Sequence, residues 1–290
     1  MIILLVMAVV LTVGLSVVSQ SITDVRLSQK EEEASRAFSA AEAGIEQVLI
    51  KAPSAGGSFN GSFGSAGYQV VRNDLGQGST SFSYPGTFSS GETVTTFLVN
   101  HDDSGNLTCS GGAVPCFTSQ YVDICWGGSA DATAAPSTAT APALEVSVLY
   151  KNASGNYQTA RVLADPYTGS DATRNGNNFA NVTDSSGCTV GSDSLRYRQR
   201  IDFGATGLNI PSYTTAGNLV MLRTKLLYNS NSQKIGVKLP AGQLPSQGVN
   251  IGSVGTYGNS TQKVEVTQLY PDAPPVFDYA LYSGVGGITK

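Results

Sequence analysis

The sequence predicts an α+β fold in which one long N-terminal helix precedes a β-rich C-terminal region. The first fifty residues contain no proline, and Gly14 and Gly44 are their only glycines, so this stretch favours an uninterrupted helix. After residue 67, short runs rich in β-branched and aromatic residues alternate with Gly, Ser and Asn turn signals. The four cysteines and the scarcity of charge are typical of an extracellular β protein rather than a cytosolic enzyme.

Composition also limits the partners of this chain. Charged residues make up 13% of the sequence and the formal net charge is −4, whereas a typical soluble domain contains about 25% charged residues. Binding to nucleic acid requires clustered Lys and Arg. The weak acidic balance therefore argues against a nucleic-acid partner.

The helix is predicted over residues 1–50, and its first half, residues 1–22, is apolar on all sides. Up to Val18, only Thr12, Gly14 and Ser16 are not plainly apolar. A run of about 20 such residues crosses a hydrocarbon core about 30 Å thick. The first half therefore has the length and polarity of a segment that is kept out of water.

The second half of the helix, residues 23–50, is amphipathic. Phe38, Ala41, Ile45 and Val48 recur at spacings of three and four residues, which places them on one side of a helix. We expect this stripe to pack against the β-rich region.

The β-rich region is predicted to comprise a first lobe at residues 51–127 and a second lobe at residues 144–290. The low-complexity stretch GSADATAAPSTATAPA, residues 128–143, is either a linker between the lobes or one long surface loop. Strands are predicted at 68–72, 93–100, 120–126, 144–150, 157–164, 195–203, 219–228, 234–239, 262–269 and 277–282. The turn residues NASGN and NSNSQ predict two hairpins, and the glycine-rich GSVGTYG, residues 252–258, predicts turns.

The cysteines are Cys109, Cys116, Cys125 and Cys188, for which three pairings are possible. We expect disulfides between Cys109 and Cys116, closing the short loop CSGGAVPC, and between Cys125 and Cys188. The spacings are too wide for the two close pairs of a structural zinc site. Disulfides imply an oxidising compartment outside the cytosol.

No constellation of acid, base and nucleophile emerges, so we expect neither enzymatic activity nor a cofactor or metal site. His101, the single histidine, lies in NHDDSGN, which is typical of an exposed turn, and no G-x-S-x-G motif lies near it. The acidic runs at 102–106 and 165–178 do not match the twelve-residue calcium loop and favour solvated turns.

Five N-x-[ST] triplets are candidate glycosylation sites. Their acceptor asparagines are Asn60, Asn106, Asn152, Asn181 and Asn259.

The N-terminal fifty residues, MIILLVMAVVLTVGLSVV through the AAEAG segment at 40–44, resemble the mature N-terminus of type IV pilin-like proteins, in particular the large minor pilins and pseudopilins. The stretches PALEVSVLYK and PPVFDYALYSG are similar to larger pilin-like proteins in a looser way. The resemblance implies that a prepilin peptidase removes a short basic leader and that Met1 is the processed, commonly methylated N-terminus. It also implies insertion into the inner membrane, and then extraction by the pilus assembly machinery into a helical filament of copies of this chain.

The resemblance assigns the filament core to the apolar half of the helix. The core residues expected are Met1, Ile2, Ile3, Leu4, Leu5, Val6, Ala8, Val9, Leu11, Gly14 and Leu15. Small residues such as Ala8 and Gly14 allow close approach of helices. One departure from the family pattern is Leu5, where most major pilins carry an acidic residue, and no acid occurs before Asp24.

From these observations we expect a structural subunit of an extracellular pilus-like filament, with the β-rich region exposed for adhesion. A minor pilin or pseudopilin that primes or tips a filament is one alternative. The departure at Leu5 is compatible either with such a subunit or with a filament registered by shape alone. A membrane-anchored surface binding module is the other alternative.

Overall fold

A computed structural model of the chain describes residues 2–51, 57–102, 104–110 and 114–271, without the side chains at 4, 5, 8, 9, 17, 51 and 173. One N-terminal helix followed by several β-sheets confirms the α+β class. The helices are α1 (Ile2–Lys51), a 3-10 turn (Ala132–Ala134) and α2 (Ala172–Asn175). The strands are β1 (Ser58–Phe63), β2 (Ala66–Asp74), β3 (Ser81–Ser83), β4 (Thr93–Phe97), β5 (Asn100–His101), β6 (Leu107–Thr108), β7 (Tyr121–Gly128), β8 (Ala143–Lys151), β9 (Tyr157–Asp165), β10 (Ala180–Asn181), β11 (Cys188–Val190), β12 (Asp193–Asp202), β13 (Leu219–Leu227), β14 (Ile235–Lys238), β15 (Gly248–Tyr257) and β16 (Ser260–Leu269).

Contacts divide the chain into two compact units, and the division does not fall at residues 128–143. Unit 1 comprises the chain up to Asp74 together with Val249–Gln268, and unit 2 comprises Leu75–Gly248 with the described residues from Leu269 on. The predicted lobe boundary is corrected for a physical reason: β7, which ends where the low-complexity stretch begins, pairs with β12 and β14 from beyond it. The boundary between the units is therefore set by pairing between strands distant in sequence and not by the composition of residues 128–143.

Unit 1 contains α1 and an antiparallel sheet in the order β1-β2-β15-β16. Asp74 at the end of β2 is paired with Val249 at the start of β15. The whole of Leu75–Gly248 is therefore inserted between two hydrogen-bonded neighbours of the small sheet. Two parts of this sheet differ from the sequence prediction: β1 precedes the first predicted strand, and residues 252–257 belong to β15 rather than to turns.

Unit 2 contains two five-stranded sheets, β10-β9-β8-β13-β4 and β11-β12-β7-β14-β3. Their side chains share one core, in which Trp126 and Tyr197 of one sheet lie with Leu144 and Leu222 of the other. Residues 128–143 form a loop that is fixed to this core. Trp126 donates a 2.7 Å hydrogen bond from Nε1 to the carbonyl oxygen of Pro142, just before β8.

One predicted hairpin is confirmed and the other is wrong. β8 and β9 pair across NASGN, with Lys151 opposite Tyr157. β13 and β14, which flank NSNSQ, lie in different sheets, because both edges of β13 are already occupied by β8 and β4. The strand predicted at 277–282 lies outside the described residues.

Candidate assembly surface

The second half of α1 packs on the small sheet through small and aliphatic side chains. Ala41, Ile45 and Val48 of the predicted stripe are buried, and Ile45 and Val48 form one apolar cluster with Val70 and Ile251 of the sheet. Each aliphatic side chain in such a cluster contributes about 1.5–3 kcal/mol. The apolar residues of the stripe between 41 and 48 therefore hold the helix against the sheet.

Phe38 is a correction to the predicted stripe, because its side chain remains 45% exposed. The place next to the sheet is taken by Ala37 and Ala40, both fully buried. Phe38 follows Ala37 by one residue, so it projects about 100° away from it around the helix. Alanines occupy the interface because the helix backbone and the strand lie too close together for a ring between them.

Glycines on both elements permit this close approach. A Cβ atom at Gly255 of β15 would overlap the helix backbone at Ala37, and one on Gly44 of the helix would lie 2.6 Å from both Val70 Cγ2 and Ser253 Oγ. The glycines of residues 252–258 were assigned to turns from sequence. The signal that was available is the pair Ser253 and Gly255, two small residues two positions apart, which lie on the same face of a strand.

Near Glu33, polar contacts mark the point along the chain at which the helix first meets the sheet. Glu33 accepts a 3.2 Å hydrogen bond from the backbone N–H of Asn259, in the turn between β15 and β16. Arg36 donates to the hydroxyl of Tyr257 at 3.1 Å and lies 4.9 Å above its ring centre, while it pairs with Glu32 at 2.6 Å. Residues 21–32, before this point, are all exposed.

The part of α1 that precedes the sheet carries a long set of exposed apolar side chains. Ile2, at the start, is 81% exposed, and the helix continues through Gly14 without a break. The large apolar residues exposed along it are Ile2, Ile3, Val6, Met7, Val10, Leu11, Val13, Leu15, Val18, Ile22, Val25 and Leu27. Of the predicted core set, Met1 and the side chains of Leu4, Leu5, Ala8 and Val9 lie outside the described residues. Over the part of the chain that is described, no helical segment has both the length and the hydropathy of a membrane span.

The disulfides join Cys109 to Cys116 and Cys125 to Cys188, which are the pairings favoured from the sequence. Cys125 and Cys188 belong to the same sheet, on β7 and β11, so the cross-link lies within unit 2.

His101 is not in an exposed turn. It ends β5, stacks on Tyr270 with ring centres 3.9 Å apart, and meets Phe97 edge-on at 4.5 Å. Its Nδ1 is buried without a hydrogen-bond partner among the described residues. Burial lowers the pKa of His101, although the nearby Asp102 carboxylate acts in the opposite direction.

The two acidic runs are engaged in local structure. Asp102 accepts hydrogen bonds from the N–H groups of Ser104 and Asn106, which is an Asx turn. Asp165 is bound by Arg174 through two hydrogen bonds of 3.0 and 2.7 Å. Within the described ranges, no group of three His, Cys, Asp or Glu side chains is arranged to hold a metal ion.

The candidate glycosylation sites differ in accessibility. The side chains of Asn60, Asn106, Asn181 and Asn259 are exposed, whereas Asn152 is half-buried in the β8–β9 turn. The Oδ1 atom of Asn152 accepts from the N–H groups of Ser154 and Asn156, which fixes that turn.

A mixed polar and apolar cavity of about 270 Å³ opens in unit 2, and sequence reasoning did not anticipate it. Lys151, Tyr157, Asn218 and Thr108 supply its polar lining, and the Lys151 ammonium lies 5.3 Å from the Tyr157 ring centre. No family model, curated protein or solved structure matches this chain.

Proposed function

We propose that this protein is a structural subunit of an extracellular type IV pilus-like filament, held together by packing of the first half of α1 against its copies. Its mechanism is assembly rather than catalysis. The β-rich units form the outer surface and carry whatever adhesion the filament has.

The observation that carries this proposal is the exposed apolar surface of α1. Removing each large apolar side chain from water contributes about 1.5–3 kcal/mol, and twelve of them are exposed along one continuous helix. Monomeric soluble proteins rarely expose apolar patches larger than a few hundred Å². A surface of this kind requires a partner.

Copies of the same helix satisfy that requirement in a filament, and lipid satisfies it before assembly. Lipid tails are as apolar as leucine, so the preference for copies depends on close packing at small residues. Gly14 supplies such a position, because the space around its Cα is open. The sequence also places alanine at residue 8. We therefore propose inner-membrane insertion first and filament entry second.

The two disulfides support an extracellular location, because such bonds persist in oxidising compartments.

Two specific observations favour other roles. A priming or tip subunit is favoured by Leu5, which lacks the charge of most major pilins, and by the large domain inserted after β2. A membrane-anchored binding module is favoured by the cavity beside Lys151 and Tyr157, whose lining combines apolar groups with a few polar ones as in a small-ligand site.

Image reconstruction of filaments from cells that produce the full chain separates these functions. Copies repeating along the axis support the structural subunit, and one terminal copy supports the tip subunit. A chain found singly in membranes, in cells that form no filament containing it, contradicts both. Deleting residues 1–22 provides a second test: we expect a soluble monomer with an unchanged β spectrum, and a deleted chain that still enters filaments contradicts the proposal.

A further inference from the structure

The stretch of α1 between its apolar half and the sheet has two chemically different sides. Arg26 and Lys30 precede Ala37 by eleven and seven residues, so at 3.6 residues per turn they project on the side that faces the sheet further along. Ile22 precedes the buried Ala40 by eighteen residues and lies close to the same side. The sheet does not reach this stretch, and all three side chains are exposed. We call Ile22, Arg26 and Lys30 the lower row.

The opposite side of the helix, level with the sheet, carries a row of matching spacing and opposite charge. Phe38, Glu42 and Glu46 are each four residues apart, as are the members of the lower row, and all three are exposed. Glu42 and Glu46 point away from the sheet, and Phe38 lies at the flank of the buried side, where it is 45% exposed. We call Phe38, Glu42 and Glu46 the outer row.

The four charges in these rows have no partners within the described residues. The ion pairs made by α1 in that part of the chain consist of Glu32 with Arg36. Glu33, which lies beside the lower row, is engaged by the backbone N–H of Asn259. The remaining acids of this region, Asp24 and Glu31, precede Glu42 by eighteen and eleven residues, so they lie on the same side of the helix as the outer row but nearer its N-terminus.

We propose that the outer row of one copy docks on the lower row of a second copy, and that this contact sets the axial displacement between neighbours. A parallel helix displaced by sixteen residues, about 24 Å at 1.5 Å per residue, brings Phe38 level with Ile22. The same displacement brings Glu42 level with Arg26 and Glu46 level with Lys30. One apolar contact and two ion pairs thus form in a single register.

Two features make a second copy of this chain the fitting occupant. The charges are complementary within one sequence, and the two rows share the i, i+4, i+8 spacing, so that all three contacts form together. The rows are also different patches of the same molecule. Such a heterologous contact repeats without closing on itself, which produces an open filament. The inference rests on the proposed function and supplies the registration that Leu5 cannot provide.

Charge reversal tests the contact. We expect Arg26→Glu with Lys30→Glu, or Glu42→Lys with Glu46→Lys, to lower filament yield about tenfold or more, since two surface pairs become repulsive. The four substitutions combined, and an equal mixture of the two double variants, are expected to restore filaments. Glu92→Lys with Glu265→Lys, at two exposed acids outside α1, is the matched control, with a yield expected within about twofold of wild type. All of these residues are exposed, and circular dichroism checks folding.

Cross-linking measures the displacement itself in assembled filaments. Arg26→Cys with Glu42→Cys is expected to join neighbouring copies into a ladder on a non-reducing gel. Lys30→Cys with Phe38→Cys is expected to give none, because those positions are about 12 Å apart along the axis, beyond the roughly 7 Å that a disulfide spans between Cα atoms.

The outcomes separate the two proposals. Wild-type filaments combined with neutral reversals, failure of the combined variant to restore assembly, or a cross-link to a different protein overturns the register and leaves the filament subunit standing. Absence of this chain from any filament overturns both.

Discussion

Gly255 of β15 lies against α1 so closely that a Cβ atom there would overlap the carbonyl oxygen of Ala37 and lie 2.7 Å from the amide nitrogen of Ala41. This single relationship fixes the distance between helix and sheet in unit 1. It explains why alanines rather than Phe38 face the sheet.

Gly255→Ala is expected to destabilise unit 1 by about 1–3 kcal/mol, because the added methyl group pushes the backbone of β15 away from the backbone of α1. Thermal unfolding of the chain lacking residues 1–22 measures the change. Gly252→Ala on the same strand is the control, because no atom lies within 4 Å of its Cβ position. Equal effects of the two substitutions would show that the close approach is unimportant.

Ser253→Ala is expected to stabilise the same unit by about 1 kcal/mol, since it removes a buried hydroxyl without a hydrogen-bond partner among the described residues. Denaturant unfolding of the wild-type and variant chains gives the difference. Ser62→Ala, at an exposed position of β1, is the control and should change little. A loss of stability in Ser253→Ala would mean that the hydroxyl is satisfied.

Arg174→Met is expected to cost unit 2 about 3–5 kcal/mol, because it leaves the buried Asp165 carboxylate unpaired. Arg174 also donates to the carbonyl oxygens of Ala139 and Ala141, so it fastens the 128–143 loop. Its guanidinium lies 4.4 Å from the ring centre of Tyr228, whose backbone has a φ of 68°.

The control for Arg174→Met is Lys263→Met, which breaks an exposed pair with Glu265 and should cost about 0–1 kcal/mol. Calorimetry of the three proteins compares the costs. Similar unfolding temperatures for all three would exclude a structural role for the buried pair.

The stability of unit 2 is expected to fall as the pH drops from about 7 to 5, because of His101. Burial lowers the pKa of His101 in the folded protein, so the unfolded chain takes up the proton first, near its ordinary pKa of about 6.5. The stabilising contribution is therefore complete above that pH and is lost below it. Phe97 and Tyr270 pack around this ring and exclude the water that would solvate its charge, whereas the Asp102 carboxylate beside it favours the charge.

His101→Phe keeps a ring against Tyr270 but cannot titrate, so the slope of stability with pH in this range should flatten. Urea unfolding at several pH values provides the measurement. An unchanged slope in the variant would assign the pH dependence to other groups.

Removing the Cys125–Cys188 disulfide is expected to cost more than removing Cys109–Cys116. The sequence separations are 63 and 7 residues, which correspond to about 4 and 2 kcal/mol of loop-closure entropy. Paired Cys→Ala variants, compared by thermal unfolding under non-reducing conditions, give the order. The reverse order would show that effects on the folded state dominate.

Much of the fold could be predicted from local sequence, and the failures have a common cause. Ile2–Lys51 form one helix because no residue in that stretch opposes it, and β8 and β9 form a hairpin because NASGN lies between two strand-like runs. The strand β15 was missed because Gly255, which reads locally as a turn residue, is needed for contact with a helix about two hundred residues earlier in the chain. The pairing of β14 could not be predicted, because nothing in the local sequence shows that both edges of β13 are already paired with β8 and β4.

The sequence by itself determined the continuous helix, its apolar first half, the α+β class and the composition from which two disulfides were expected. These depend on residue type and on neighbours within one or two turns. Only the tertiary structure decided that unit 2 is inserted between β2 and β15, that Phe38 remains exposed, and that the sheet covers the side of α1 opposite Glu42 and Glu46. Those properties depend on which distant strand packs where, and that is set by burial and pairing across the whole chain rather than by any local pattern.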